Sequence, residues 1–115
     1  MKHDNDRLKF RIWNEQTKSY RYFNLAIHES QLALAAYTQQ YDAKHLCWEW
    51  CTGSLDATGR LIYENDILTA GNIEYLCEWN DAINGFKFRG ITASYQFGDP
   101  LMKITGDIHN SGERR

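Results

Sequence analysis

The stretch from residue 52 to residue 67 constrains the fold of this chain most, because turn signals interrupt short apolar runs within it. Residues 52–59 are predicted to form a loop with an Asp-Ala-Thr-Gly turn at 56–59, where Gly59 can adopt the positive φ that such turns often require. A second turn segment, Glu-Asn-Asp, follows, and its Asn65 tolerates left-handed backbone geometry better than most residues do. The stretch therefore predicts short strands joined by tight turns.

Alternating segments before and after this stretch predict further strands, because apolar and polar residues recur there with the period of two that one strand face requires. The predicted strands outside the stretch are 8–13, 19–23, 46–50, 73–79, 86–89 and 102–108, and two shorter ones, 61–63 and 67–69, lie within it or at its end. Aromatic residues make up 14% of the chain and fit the pleated surface of a sheet. The pattern predicts a mainly β fold, with antiparallel strands rolled into a small barrel or packed as a sandwich.

The region 24–46 leaves helix and strand open. It contains strong helix formers and a candidate helix cap at Ser30, which would accept a backbone N–H at the helix start. Leu32, Leu34 and Ala36 also alternate, as they would in a strand. The fold prediction therefore allows at most one short helix.

The first strand carries cations at alternate positions. Arg7, Lys9 and Arg11 alternate with the apolar Leu8 and Phe10. Successive side chains in a strand point to opposite faces, so we expect these cations to face solvent.

The length of the chain, 115 residues, fits one domain. No linker, repeat or low-complexity segment divides it. We therefore predict a single domain over 7–110. The polar segments 1–6 and 111–115 are predicted to be flexible tails, because such termini are usually mobile.

Charge and cysteine content limit the possible partners and the compartment. A net charge of −2 excludes a strongly basic protein that holds nucleic acid by bulk attraction. The odd number of cysteines and the polar N-terminus, which lacks an export signal, predict thiols in a reducing cytoplasm. No apolar run approaches the roughly 20 residues that span a bilayer. We predict a soluble cytoplasmic protein that does not bind membranes.

The cysteines do not predict a zinc site. Cys47 and Cys51 are four residues apart, and in a strand their side chains share a face at a distance of about 13 Å. One zinc ion cannot bind both at that distance, and Cys77 stands alone in another predicted strand. The preferred interpretation is buried or half-buried thiols, with no metal and no cofactor.

Four carboxylates, on Asp56, Glu64, Asp66 and Glu78, are candidates for acid–base catalysis. Turn formation explains two of them, because Asp56 opens a turn and Asp66 can cap backbone amides. No nucleophile stands at a recognised spacing from them, and no phosphate-binding glycine-rich loop occurs. No catalytic residue is predicted, and an enzyme of unknown type is the least favoured alternative.

Aromatic and basic residues alternate at positions 86–89, which gives an alternative hypothesis of single-stranded nucleic-acid binding. Rings beside cations can form a stacking platform for bases. The contacting residues would be Phe86, Lys87, Phe88 and Arg89. Core packing explains most rings of the chain more simply, and the acidic net charge further disfavours nucleic acid. The other rings considered are Trp48, Trp50, Tyr75 and Trp79.

Three motifs occur in an order that is found in a known family. The opening motif is Leu-Lys-Phe-Arg-Ile-Trp-Asn at 8–14, followed by Lys-Ser-Tyr at 18–20. The central motif comprises Thr52, Gly53, Asp56, Gly59, Ile62, Tyr63, Glu64, Asp66 and Ile67. The closing motif is Ile-Thr-Gly-Asp-Ile-His-Asn at 104–110. On these motifs nearly the whole chain resembles the YopX protein family, which usually has glycine where Asn65 stands.

The resemblance implies a small protein encoded by a phage or prophage of Gram-positive bacteria, acting in the host cytoplasm. It also implies a β-rich fold whose subunits tend to self-associate, and it carries over no catalytic residue. The function we predict is therefore a non-catalytic protein-binding or self-assembling accessory module. Its expected partners are further copies of itself and a host or phage protein.

Overall fold

The computed structural model describes residues 8–71, 73–90 and 102–109. These residues fall into two compact units, which divide between Gly53 and Ser54. Strands make up 54% of the described residues, which confirms the mainly β prediction. The elements are β1 (Lys9–Asn14), β2 (Ser19–Asn24), α1 (His28–Gln40), a 3₁₀ turn (Ala43–His45), β3 (Leu46–Leu55), β4 (Leu61–Tyr63), β5 (Asp66–Ala70), β6 (Ile73–Asn80), β7 (Gly85–Gly90) and β8 (Lys103–Asp107).

The strands form two antiparallel, four-stranded sheets. One has the strand order β2-β1-β3-β4 and the other the order β7-β6-β5-β8. Neither is closed within the described residues, so the barrel alternative is not observed. The loop predicted over 52–59 is wrong for its first half, because β3 continues to Leu55. The single domain over 7–110 stays a prediction, and the predicted tails lie outside the described residues.

A hairpin built around Asn14 begins the first unit. Its Oδ1 accepts hydrogen bonds from the backbone N–H groups of Gln16 (2.9 Å) and Thr17 (3.2 Å). Lys18 has a φ of 56° and donates its N–H to the Asn14 carbonyl at 2.7 Å. Asn14 is fully buried, and its Nδ2 donates to the Tyr37 hydroxyl at 3.1 Å. One asparagine therefore shapes the turn and also ties it to α1.

The structure resolves the choice left open over 24–46 in favour of a helix. Ala33, Leu34 and Tyr37 of α1 pack against the core of the first unit, where Phe23 of β2 lies. These positions share one face of a helix, whereas the alternation of a strand would separate them. The helix thus covers the β2 side of the sheet.

The cap predicted at Ser30 is wrong. The helix begins at His28, and no side chain caps its first turn. Ser30 instead lies within that turn, where its Oγ accepts the backbone N–H of Asn24 at 2.8 Å. The hydroxyl therefore ties the end of β2 to the helix.

The second unit has β5 between β6 and β8. Its core comprises Ile62, Leu68, Tyr75, Cys77 and Met102. The register of β5 with β8 shifts between Ile67 and Leu68, which lie opposite Gly106 and Ile104. This irregularity is the two-against-one arrangement of a β-bulge.

Candidate functional site

The carboxylate of Asp56 organises the first turn of the central stretch. Its Oδ1 accepts hydrogen bonds from the Thr58 N–H (2.8 Å), the Thr58 hydroxyl (2.7 Å) and the Arg60 N–H (2.9 Å). Its Oδ2 accepts the N–H of Ile104, in β8, at 2.9 Å. Gly59 has a φ of 90° and donates its N–H to the Asp56 carbonyl at 3.0 Å. The predicted turn is confirmed, and the same carboxylate also fixes β8.

These donors keep Asp56 ionised. Burial disfavours the charged form and raises the pKa, but the N–H groups of Ile104, Arg60 and Thr58 and the Thr58 hydroxyl outweigh it. The pKa of Asp56 falls from 3.8 to about 2 as a result. A general base works best with a pKa near the working pH, so this environment is that of a structural carboxylate.

The second turn of the central stretch lies at Asn65, which has a φ of 73°. Buried Asp66 accepts the Tyr63 N–H on its Oδ2 at 2.8 Å. The N–H of Asn65 donates to the Cys77 carbonyl at 2.7 Å, and its own carbonyl accepts the Ile108 N–H at 3.1 Å. The left-handed asparagine and the capping role of Asp66 are both confirmed. The central stretch thus forms two turns of the second unit and ties them to Cys77, Ile104 and Ile108.

The cysteines occupy strands, as the sequence predicts. Cys47 and Cys51 both lie in β3, at positions that share a face of the strand. Cys51 and Cys77 are buried, and all three residues carry thiols that form no disulfide with one another. The strand geometry behind the argument against zinc is confirmed, while the absence of a metal stays a prediction.

A buried ion pair joins β1 to β3, and sequence reasoning missed it. Arg11 lies opposite Glu49 in the register, and its Nε is 2.7 Å from Glu49 Oε1. Both side chains are buried, and the guanidinium carbon lies 4.3 Å from the centre of the Tyr20 ring. The prediction that Arg11 faces solvent is therefore wrong. Alternation correctly separates Arg11 from Phe10, but it does not reveal that both side chains are buried.

Two indoles on the other face of β3 form an exposed surface. Trp48 and Trp50 are 44% and 40% exposed. Between them and Phe23 lies the fully buried Phe10, whose ring centre is 5.2 Å from that of Trp48 and 5.1 Å from that of Trp50. We call Phe10, Trp48 and Trp50 the aromatic patch. Core packing explains Phe10, but it does not explain the outer surfaces of the indoles.

The register explains why the rings gather there. Phe10 pairs directly with Phe23 on one side and with Trp50 on the other. Directly opposed residues of antiparallel strands bring their side chains into contact. Because α1 packs over β2, the rings pass from a covered end at Phe23 to an exposed end at Trp50.

The residues of the nucleic-acid hypothesis form β7, where alternation divides them between two faces. Phe86 and Phe88 are partly buried against the core of the second unit. On the other face, Lys87 Nζ and Arg89 Nε lie 3.9 Å and 3.1 Å from Glu78 Oε2. Rings and cations therefore do not share one surface, and nucleic-acid binding at these residues stays a prediction.

The comparisons with known proteins identify a family. The family model described as YopX protein matches residues 9–114. That range is nearly the whole chain, and it includes the central motif. No curated protein matches the sequence. Among the described residues, no helix has the length and apolar character that crossing a membrane requires.

Proposed function

The chain belongs to the YopX protein family, and on that premise we propose that it is a non-catalytic protein-binding module that self-associates through the aromatic patch. We place it among phage or prophage accessory proteins that act in the cytoplasm of the bacterial host. The observation that carries the proposal is the pair of half-exposed indoles, Trp48 and Trp50, on one strand.

Half-exposed indoles have an energetic reason to be covered. Burial of the exposed part of each one yields roughly 2 kcal/mol at the usual coefficient for apolar surface. Trp48 stacks on Phe10 with an angle of 11° between the ring planes, and Trp50 contacts the same ring. The rings are thus already ordered before a partner arrives, which lowers the entropic cost of binding. Tryptophan is also the residue type that most often dominates binding energy at protein interfaces.

The charge distribution around the patch suits a second copy of the chain. Arg21 is the charged residue among the described strand positions that share this face, and it belongs to β2. Its guanidinium carbon lies 5.8 Å and 5.4 Å from the ring centres of Phe23 and Tyr37, on the far side of Phe10 from the indoles. Two copies that meet through their indoles therefore bring together no like charges of these strand positions, and a two-fold axis relating them would bury the same patch twice.

The non-catalytic part of the proposal is supported by the hydrogen bonds and ion pairs of three candidate carboxylates, those of Asp56, Asp66 and Glu78. Asp56 accepts from the backbone of three residues, and Asp66 accepts from Tyr63. Glu78 lies between two cations of β7. Turn formation and ion pairing explain these carboxylates without any reaction.

Light scattering of the purified protein over a range of concentrations tests the proposal. We expect a mass above the 13.5 kDa of one chain, and a return to that value in the Trp48→Ala/Trp50→Ala variant. The matched control is Trp79→Ala, because Trp79 is 44% exposed like Trp48 but lies in the second unit.

Two outcomes would contradict the proposal. One is a wild-type mass that stays at one chain at the highest concentration, and the other is dissociation by Trp79→Ala alone. Since removal of an indole also uncovers Phe10, Trp48→Lys/Trp50→Lys is measured as well. In this variant the aliphatic parts of the two lysine side chains still cover the Phe10 ring, while their charges repel a second copy of the chain.

A further inference from the structure

The edge of β7 that faces away from β6 is a second candidate binding surface. This strand ends the sheet order of the second unit, with β6 on one side and no strand among the described residues on the other. The backbone of Phe88 points to that outer side. Phe88 pairs with Cys77, whose carbonyl accepts a hydrogen bond from Asn65, away from β7. Because backbone groups alternate in direction along a strand, Phe86 and Phe88 both aim their N–H and C=O groups outward.

The side chains of β7 give its two faces different chemistry. Phe86 and Phe88 lie on the core face. Lys87 and Arg89 lie on the opposite face, where Glu78 is the carboxylate between them. Lys87 and Arg89 are the charged residues of β7 itself, whereas Glu74 and Glu78 lie one strand further in, on β6. A strand added at the edge of β7 therefore lies directly beside two cations.

We infer that β7 binds an extended segment of another protein in which acidic residues alternate with apolar ones. Such a segment adds to the sheet as a further strand and pairs its backbone with that of Phe86 and Phe88. Its acidic side chains then lie beside Lys87 and Arg89, and its apolar side chains lie beside the phenyl rings. The inference extends the proposed protein-binding function to a surface that shares no residue with the aromatic patch.

Charge argues against a second copy of β7 as the occupant. In an antiparallel pair of β7 strands centred on Phe88, Lys87 of each copy lies opposite Arg89 of the other. When the pair is centred on Lys87 or on Arg89 instead, that residue lies opposite the same residue of the other copy. Like charges directly opposite each other destabilise a strand pair, so in these three registers an acidic partner is favoured over a second copy.

Geometry argues against single-stranded nucleic acid at this strand. A base that stacks on Phe86 or Phe88 must use the core face, where the rings already pack. The phosphates would then lie on the face away from Lys87 and Arg89. A neighbouring strand meets both faces at once because its own side chains alternate.

Fluorescence anisotropy with a labelled peptide of about ten residues, in which glutamate alternates with valine or threonine, tests the inference. The control peptide has the same composition with its glutamates together. We expect the alternating peptide to bind about tenfold more tightly than the control, and more weakly as salt is raised. Equal binding of the two peptides, or no binding of either, would overturn the inference.

A charge reversal localises the binding. Lys87→Glu/Arg89→Glu is expected to weaken binding of the acidic peptide by about tenfold or more and to create binding of its lysine counterpart. The control is Lys44→Glu/Lys103→Glu, which changes the net charge equally at positions outside β7. Equal losses in both variants would show attraction by net charge alone and overturn the assignment to β7.

Selective N-methylation of the peptide tests strand addition in the unaltered protein, so this arm does not depend on the folding of a variant. Methyl groups on the N–H groups that face β7 should abolish binding, whereas methyl groups on the alternate N–H groups should preserve it. Preserved binding in both cases would contradict strand addition. Displacement of the labelled peptide by unlabelled single-stranded DNA would favour nucleic acid instead. Trp48→Ala/Trp50→Ala should leave peptide binding unchanged, so failure of the self-association proposal is seen separately.

Discussion

The aromatic patch of the first unit and β7 of the second share a sequence pattern but differ in surroundings. Each places two aromatic residues two positions apart, Trp48 with Trp50 and Phe86 with Phe88. The indoles are 44% and 40% exposed, whereas the phenyl rings pack against the second core. The pattern therefore identifies residues that share a face, and the element that packs against that face decides whether the rings are core or surface.

The two surfaces also differ in charge, and this difference separates their proposed partners. The exposed indoles have no charged neighbour among the described strand positions of β1 and β3 on their face. The exposed face of β7 carries Lys87 and Arg89 beside Glu78. In our account the uncharged surface accepts another copy of the chain, while the cationic strand repels a copy and accepts an acidic segment.

The largest expected effect on stability comes from breaking the buried ion pair between β1 and β3, the two strands that carry the aromatic patch. Glu49→Ala removes the carboxylate beside the buried guanidinium of Arg11. Breaking such a pair costs about 3–5 kcal/mol of unfolding free energy, because a buried charge loses its compensation. Urea denaturation measures this loss.

The matched control uses an exposed ion pair of the same unit. Lys18 and Glu15 form an ion pair with side chains 68% and 53% exposed. Glu15→Ala should change the unfolding free energy by less than about 1 kcal/mol. Similar losses for the buried and the exposed pair would contradict the account of the first unit.

The corresponding change in the second unit is Asp56→Ala. It removes an acceptor of four hydrogen bonds, which come from two N–H groups and a hydroxyl of its turn and from Ile104 of β8. The expected loss is about 2–3 kcal/mol, since donors are left without a charged acceptor. The exposed Asp42→Ala is the control in the same urea experiment. Equal stability of the two variants would contradict the structural role of Asp56.

Acid should act on the second unit through Asp56. Its pKa in the folded protein is about 2, below the ordinary 3.8. The stabilisation is therefore fully present above the unfolded pKa and is lost as pH falls through the folded pKa. Between pH 5 and about pH 2, the unfolding free energy of the wild type should fall more steeply than that of Asp56→Ala. Parallel curves would contradict the hydrogen-bonded carboxylate.

The smallest expected effect concerns single-stranded nucleic acid. Labelled DNA and RNA titrated at low and moderate salt should show no salt-dependent binding, because the rings and cations of β7 lie on opposite faces. Binding that weakens with salt and disappears in Lys87→Glu/Arg89→Glu would favour the nucleic-acid hypothesis and remove the contrast between the two surfaces.

Local rules predicted much of this fold. The turns at Gly59 and Asn65 follow from backbone freedom that few residues have, and the observed φ values of 90° and 73° confirm them. The strands followed from alternation in the same way. The helix over 28–40 was not decided, because its apolar residues satisfy both helical spacing and alternation.

The candidate site was less predictable, because it depends on contacts between distant residues. Arg11 was expected in solvent, and only its register opposite Glu49 shows the buried pair. Trp48 and Trp50 were assigned together with the core rings, since the sequence does not show that α1 packs over β2 and not over β3. Their exposure depends on that placement, which no local pattern encodes.

Two-dimensional NMR of the indole N–H signals tests the central claim most directly. The chain has four tryptophans, so each signal can be assigned by a Trp→Phe variant. As protein concentration rises, the signals of Trp48 and Trp50 should shift or broaden. The signal of Trp79, which is 44% exposed and donates its N–H to Asp81 at 2.6 Å, should stay constant. Constant Trp48 and Trp50 signals while the mass increases, or an equal shift of Trp79, would contradict self-association through the aromatic patch.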